Sequence, residues 1–245
     1  GHGNWDFAIG VEEIIGTADD DRVRLFGSAD NFFESEDVDT VVTGGANTDR
    51  GDLLDFSGLD SQQGLNIAWS AIDSIEFGRI GAVGGNEAVG FEGVIGTAQG
   101  DIIHGDDGGD RINGHLGADL LFGGGADDFI FFDAEDTAVN GGSGRDVAVA
   151  IGQDGVTVDM AAQELECVIG CDGADTITVG EVEGGLFAAG SDGSDTFFVK
   201  NGEDGYNEGG PRILWGGAGA DTFEFEWASY AHGIAVVQID GLTDE

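Results

Sequence analysis

Lysine and arginine are almost missing from this chain of 245 residues: 8 stand against 49 aspartates and glutamates, a formal net charge of −41. Seven arginines and Lys200 cannot build the basic patches that a phosphate backbone requires, so no nucleic-acid partner is expected, and anionic lipid surfaces are disfavoured. Long hydrophobic runs are missing too. None approaches the roughly 20 apolar residues needed to span a bilayer, so no membrane insertion is expected. A basic-then-apolar leader is lacking, and the chain opens at Gly1 without Met, which leads us to expect a fragment or a processed product.

Cysteine and histidine are also too sparse for much chemistry. Cys167 and Cys171, in CVIGC, read either as two small thiols without a chemical role or as a local disulfide. Zinc takes about four ligands, and four scattered histidines do not supply the rest. Neither an HExxH zinc site nor a GxSxG nucleophile elbow occurs. His2, His104, His115 and His232 are the only imidazoles. Carboxylate pairs suited to acid/base work abound, but a bound cation would keep them ionised and occupied. The chain itself is therefore not expected to be an enzyme.

What is abundant is glycine, acid and apolar surface together. Such a charge imbalance usually means disorder, yet 40% of the residues are apolar and 16 are Phe, too many for a solvated acidic tail. Something must neutralise the acid before the apolar part can pack. Hard oxygen ligands, carboxylates and backbone carbonyls, are what Ca²⁺ selects, so several calcium ions are the expected cofactor.

The acids are not scattered. From Gly96 the chain divides into the nonapeptides GTAQGDIIH, GDDGGDRIN, GHLGADLLF and GGGADDFIF; FDAEDTAVN keeps the length without the glycines, and GGSGRDVAV resumes the frame at Gly141. Further copies are GTADDDRVR at 16–24, GCDGADTIT at 170–178, GSDGSDTFF at 190–198 and GGAGADTFE at 216–224. Glycine holds the first position, Asp the sixth and usually an apolar residue the eighth. The first half reads as a turn whose glycines allow positive φ. The second half reads as a short strand with Ile103, Ile112, Leu121, Ile130, Ile177, Phe197 and Phe223 pointing inward.

Two nonapeptides make a coil of 18 residues, so stacked turns should place Asp101 beside Asp119, Asp110 beside Asp128, and Asp128 beside Asp146. Calcium is expected between the members of each pair. Carbonyls of the glycine turns, at Gly105, Gly114, Gly123, Gly124, Gly141, Gly142 and Gly144, should complete the six to eight oxygens of each ion. Asp21, Asp175, Asp195 and Asp221 are candidate ligands in the out-of-frame copies. Asp21 has Asp39 at the same 18-residue spacing, although the turn around Asp39 lacks glycine.

The pattern GGxGxDxΦx, with Φ apolar, resembles the RTX (repeats-in-toxin) or hemolysin-type calcium-binding repeat. GGSGRDVAV and GGAGADTFE match it closely, GHLGADLLF and GSDGSDTFF nearly so. The resemblance implies an all-β fold, a parallel β-roll or β-helix solenoid with Ca²⁺ in its turns. It also implies export by a type I secretion machine, an extracellular or cell-surface location, and folding triggered by extracellular calcium. RTX repeats are often attached to other activities, so an internal or C-terminal module of an extracellular enzyme or toxin, active elsewhere, is the alternative to a scaffold or assembly domain.

A longer repeat overlies the short one. VEEIIGTADDDRVR (11–24), FEGVIGTAQGDIIH (91–104) and LECVIGCDGADTIT (165–178) share an apolar-Glu-x-apolar-Ile-Gly lead-in. Three units follow, 1–90, 91–164 and 165–245, within one continuous solenoid; the pattern fails at 25–43, 70–90 and 199–213. Leu120, Phe122, Phe129 and Phe131 fall at outward positions, which suggests cover by the chain's own segments, by a second copy or by other domains of a parent protein.

Overall fold

Alternation at the eighth position and glycine in the turns dictate short strands, and short strands are what forms. A computed structural model describes residues 13–15, 21–28, 41–44, 51–60, 62–71, 74–79, 86–180, 185–200, 212–226 and 235–238. Every regular element among them is a β-strand, most pairs are parallel, and none of the described residues is helical. No helix among them is therefore long and apolar enough to cross a membrane.

The chain divides into two compact units. One comprises Gly1–Asp128 with Glu135–Val139, the other Phe129–Ala134 with Asn140–Glu245. In the first, Arg22–Ser28, Leu53–Asp60, Gly93–Ile95 and Arg111–Asn113 form one parallel series. A second series runs Leu65–Ala71, Ile102–His104, Leu120–Gly125 in parallel. Leu65–Ala71, Ser74–Arg79 and Asn86–Val89 form an antiparallel meander, whose last two strands lie in the stretch at 70–90 where the repeat pattern fails. Aspartate does not recur there at the sixth position after a glycine, and the described strands pair as hairpins do.

Among the described residues of the second unit all pairing is parallel. Phe129–Phe132, Val147–Ala150, Cys167–Ile169, Leu186–Ala189, Arg212–Trp215 and Ala235–Gln238 make one sheet. Thr157–Asp159, Thr176–Val179, Thr196–Val199 and Thr222–Phe225 make another.

The eighth-position residues build the cores. Ile103, Ile112, Leu121, Ile130, Ile177 and Phe197 have no solvent exposure. Phe223 is half-buried and stacks on Phe197 with ring centroids 4.8 Å apart. Each fully buried Ile or Leu is worth about 1.5–3 kcal/mol of hydrophobic transfer, so these cores reward the stacking that also brings the acids together. Of the outward apolar residues, Phe129 is exposed, while Leu120, Phe122 and Phe131 are half-buried. Phe122 stacks on His104 of the preceding parallel strand.

Candidate metal centre in the acidic turns

Parallel stacking of identical turns places like on like, and the consequence is a ladder of carboxylates. The backbone N–H of Asp101 donates to Asp119 Oδ1 at 2.7 Å, and that of Asp110 to Asp128 Oδ1 at 2.7 Å, each across 18 residues. Asp119 N–H continues to Asp136 Oδ1 across 17. In the second unit Asp146 N–H donates to Glu166 Oε2, Asp175 N–H to Asp195 Oδ1, and Asp195 N–H to Asp221 Oδ1 at 3.1 Å. The last three steps span 20, 20 and 26 residues, so the spacing between bonded acids varies while their pairing persists. Asp128 belongs to the first unit and Asp146 to the second, and each takes its place in its own unit's ladder.

Several rungs were not singled out from the repeat. Asp21 N–H donates to Asp52 Oδ1, and Asp52 N–H to Glu92 Oε2. Asp21 is thus paired with Asp52; Asp39, at the 18-residue spacing from Asp21, lies outside the described residues. Glu92 and Glu166 are the glutamates of the apolar-Glu-x-apolar-Ile-Gly lead-in, so that repeat carried the signal. Asp136 stands at the fifth position of FDAEDTAVN, one residue early.

Positive φ occurs at the second- and fourth-position glycines of several turns, as the turn reading expects, but the first-position glycines play a different part. None of the first-position glycines from Gly96 to Gly216 has positive φ; the left-handed residues fall at the second and fourth positions of several turns. First-position glycine is required by crowding instead. A β-carbon on Gly96 would collide with Asp101 Oδ2 and the Gly114 carbonyl oxygen, one on Gly105 with Asp110 Oδ2 and the Gly123 oxygen, and one on Gly190 with Asp195 Oδ2 and the Gly216 oxygen. Carboxylate and carbonyl oxygens of successive coils thus converge on one small space.

These carboxyls are deeply buried: Asp101, Asp119, Asp175 and Asp195 are each 1% exposed and Asp146 is fully buried. Burial pushes the Asp101 carboxyl up to about 6, against hydrogen bonds from Leu65 and Thr97 that lower it. Burial likewise raises Asp110 to about 7 and Asp195 to about 6. Asp119 is raised by burial above all, with the neighbouring Asp136 and Asp101 charges adding, and Asp175 is raised by burial too. Asp119 Oδ2, Asp195 Oδ2 and Asp221 Oδ2 are buried oxygens with no hydrogen-bond donor. An ionised carboxylate in that condition is costly unless a cation takes its charge.

No group of three His, Cys, Asp or Glu side chains gathers as a metal cluster among the described residues. The donor set is of another kind: one or two carboxylates with backbone carbonyls, oxygen only. Such a set suits a hard cation of high coordination number rather than zinc. Cys167 and Cys171 are free thiols. Comparison with known proteins finds no matching family model and no matching curated protein.

Proposed function

We propose that the chain is an RTX-like, calcium-binding structural module: a parallel β-roll or β-helix solenoid, secreted, that folds when it meets extracellular Ca²⁺. The reading is carried by one observation, the buried Oδ2 atoms of Asp119, Asp195 and Asp221 that no hydrogen-bond donor reaches inside stacked acidic turns. Nine nonapeptide copies, a charge of −41 and an oxygen-only donor set support it.

The residues that would hold the cation are Asp119, Asp128, Asp146, Asp195 and Asp221 with the carbonyls of their glycine turns, and Asp21, Asp101, Asp110 and Asp175 stand in the same kind of acid series within their own units. When bound, Ca²⁺ supplies positive charge and six to eight coordination positions between adjacent coils. The carboxylates themselves fix the register, by accepting a backbone N–H from the next turn. Eighth-position side chains then close over one another, so binding energy becomes folding energy. Without neutralisation, packed carboxylates repel and hold the chain extended. Affinity of order 10⁻⁴–10⁻³ M per site, that of extracellular calcium modules, would leave the chain unfolded in a cytosol and folded outside it. The role is scaffolding or assembly, alone or within a larger parent protein; the exposed Ile213 and Trp215 in unit two give such an assembly apolar surface to cover.

Circular dichroism in EDTA and then in millimolar calcium tests this reading. Loss of the β-sheet signal in chelator and its return with calcium is the expected result. A chain that stays folded in chelator at neutral pH overturns it.

A further inference from the structure

The acidic turns are not equivalent. In the turns starting at Gly114, Gly123, Gly141, Gly190 and Gly216, the second residue has positive φ: His115, Gly124, Gly142, Ser191 and Gly217. The fourth residue does too: Gly117, Ala126, Gly144, Gly193 and Gly219. In the turns starting at Gly96, Gly105 and Gly170 neither position has positive φ.

Hydrogen bonding follows the same division. In the second group the second residue turns its N–H onto the sixth-position carboxylate: Thr97 N to Asp101 Oδ2 at 2.6 Å, Asp106 N to Asp110 Oδ2 at 2.9 Å, Cys171 N to Asp175 Oδ2 at 2.9 Å. The side chain of that residue then accepts the N–H two residues on. Gln99 N donates to Thr97 Oγ1, Gly108 N to Asp106 Oδ1, and Gly173 N to Cys171 Sγ. Thr97 Oγ1 and Cys171 Sγ also donate into the carboxylate, at 3.1 Å and 3.4 Å. With Leu65 N on Asp101 Oδ1 and Val156 N on Asp175 Oδ1, these carboxylates spend most of their lone pairs inside the protein. In the first group the second residue faces elsewhere: His115 N donates to Asn113 Oδ1 and Ser191 Oγ to the Gly170 carbonyl. There Asp119 Oδ2, Asp195 Oδ2 and Asp221 Oδ2 receive no donor, although Asp119 and Asp195 are 1% exposed.

We infer that the backbone conformation at the second residue of each nonapeptide decides whether its turn takes a cation: the turns at Thr97, Asp106 and Cys171 close onto their own carboxylates, while the left-handed turns at Asp119, Asp195 and Asp221 stay open to one. Asp128 and Asp146 sit in turns of the same open conformation. Asp101, Asp110 and Asp175 are metal-free rungs, held by donors that the protein itself supplies. The physical reason is steric as well as polar. A β-branched threonine avoids positive φ, glycine adopts it freely, and Thr97, Asp106 and Cys171 each accept the N–H two residues on, whereas the Ser191 hydroxyl is given to the Gly170 carbonyl. This inference rests on the calcium reading and adds to it which turns are loaded.

Equilibrium dialysis of the full chain against ⁴⁵Ca²⁺ at pH 7.5 tests both. Thr97→Gly and Cys171→Gly, which remove the closing side chain, are each expected to bind one ion more than the unaltered chain. His115→Thr works in the opposite direction, placing a β-branched residue where positive φ is needed, and should bind one ion fewer. If the glycine variants fail to fold, the His115→Thr count alone decides the matter. Unchanged counts in variants that fold and bind calcium overturn the inference while leaving the calcium reading intact. An unaltered chain that binds no calcium overturns the calcium reading itself.

Discussion

Asp55 and Asp195 are both buried aspartates in parallel β-structure, and their surroundings differ in kind. Asp55 accepts Arg22 Nη2 at 2.6 Å and Arg22 Nε at 3.0 Å, with Arg24 Nε at 3.2 Å. Asp195 accepts one backbone N–H on Oδ1 and nothing on Oδ2, with Asp175, Asp221 and Asp192 as charged neighbours that raise its pKa. One region neutralises its acid with the chain's own cations. Among the described residues no basic side chain pairs with Asp195, and eight basic residues could not supply every such carboxylate. The difference shows that charge imbalance in this chain is local: Asp55, outside the nonapeptide frame, has two arginines, whereas the charges that act on Asp195, at the sixth position of the repeat, are all acids.

The contrast can be sharpened by removing each charge in turn. Asp55→Asn should cost about 1–3 kcal/mol of stability in saturating calcium, because it leaves two partly solvated arginines without their buried partner. The fall in thermal midpoint measures it, and an unchanged midpoint would place Asp55 with the surface acids. Asp195→Asn should raise the calcium concentration at the folding midpoint about tenfold, roughly 1.4 kcal/mol. In metal-free buffer the same change should increase residual β-signal, since it removes repulsion; a decrease would show that the charge of Asp195 is satisfied without metal.

A pH series breaks or supports the comparison more gently. Carboxyls raised to about 6 at Asp101 and Asp195 and about 7 at Asp110 bind more protons folded than unfolded between roughly pH 4 and pH 7. Stability of the metal-free fold therefore falls as pH rises through that window. Far-UV circular dichroism of calcium-free chain should show more β-structure at pH 5 than at pH 8, with calcium removing most of the difference. The smallest effect is expected at Asp172, exposed in the turn beside Asp175. Asp172→Asn should stay within about 0.5 kcal/mol in calcium, and a larger loss would mean that acids outside the sixth position also take part.

Much of this was legible in the chain. Ile103, Ile112 and Leu121 announce the core because an apolar residue recurs at a fixed distance from a glycine, and their burial follows. Asp101 beside Asp119 and Asp110 beside Asp128 follow from the same spacing. Asp195 beside Asp221 could not be read that way, since 26 residues separate them and the intervening segment departs from the pattern. Glu92 and Glu166 repeat visibly, but a glutamate outside the nonapeptide frame gives no reason to expect it on an aspartate ladder. The three-stranded meander at 65–89 was marked only by the failure of the repeat.

By itself the sequence determined which residues face inward and which acids recur after each turn, because both depend on local period and on glycine. Only the tertiary structure decided which turn stacks on which and which carboxylate oxygens are left without a donor. Those outcomes depend on coil length and on the φ of a single residue in each turn. Neither is encoded in the spacing of aspartates, and both change how many donors reach a buried charge.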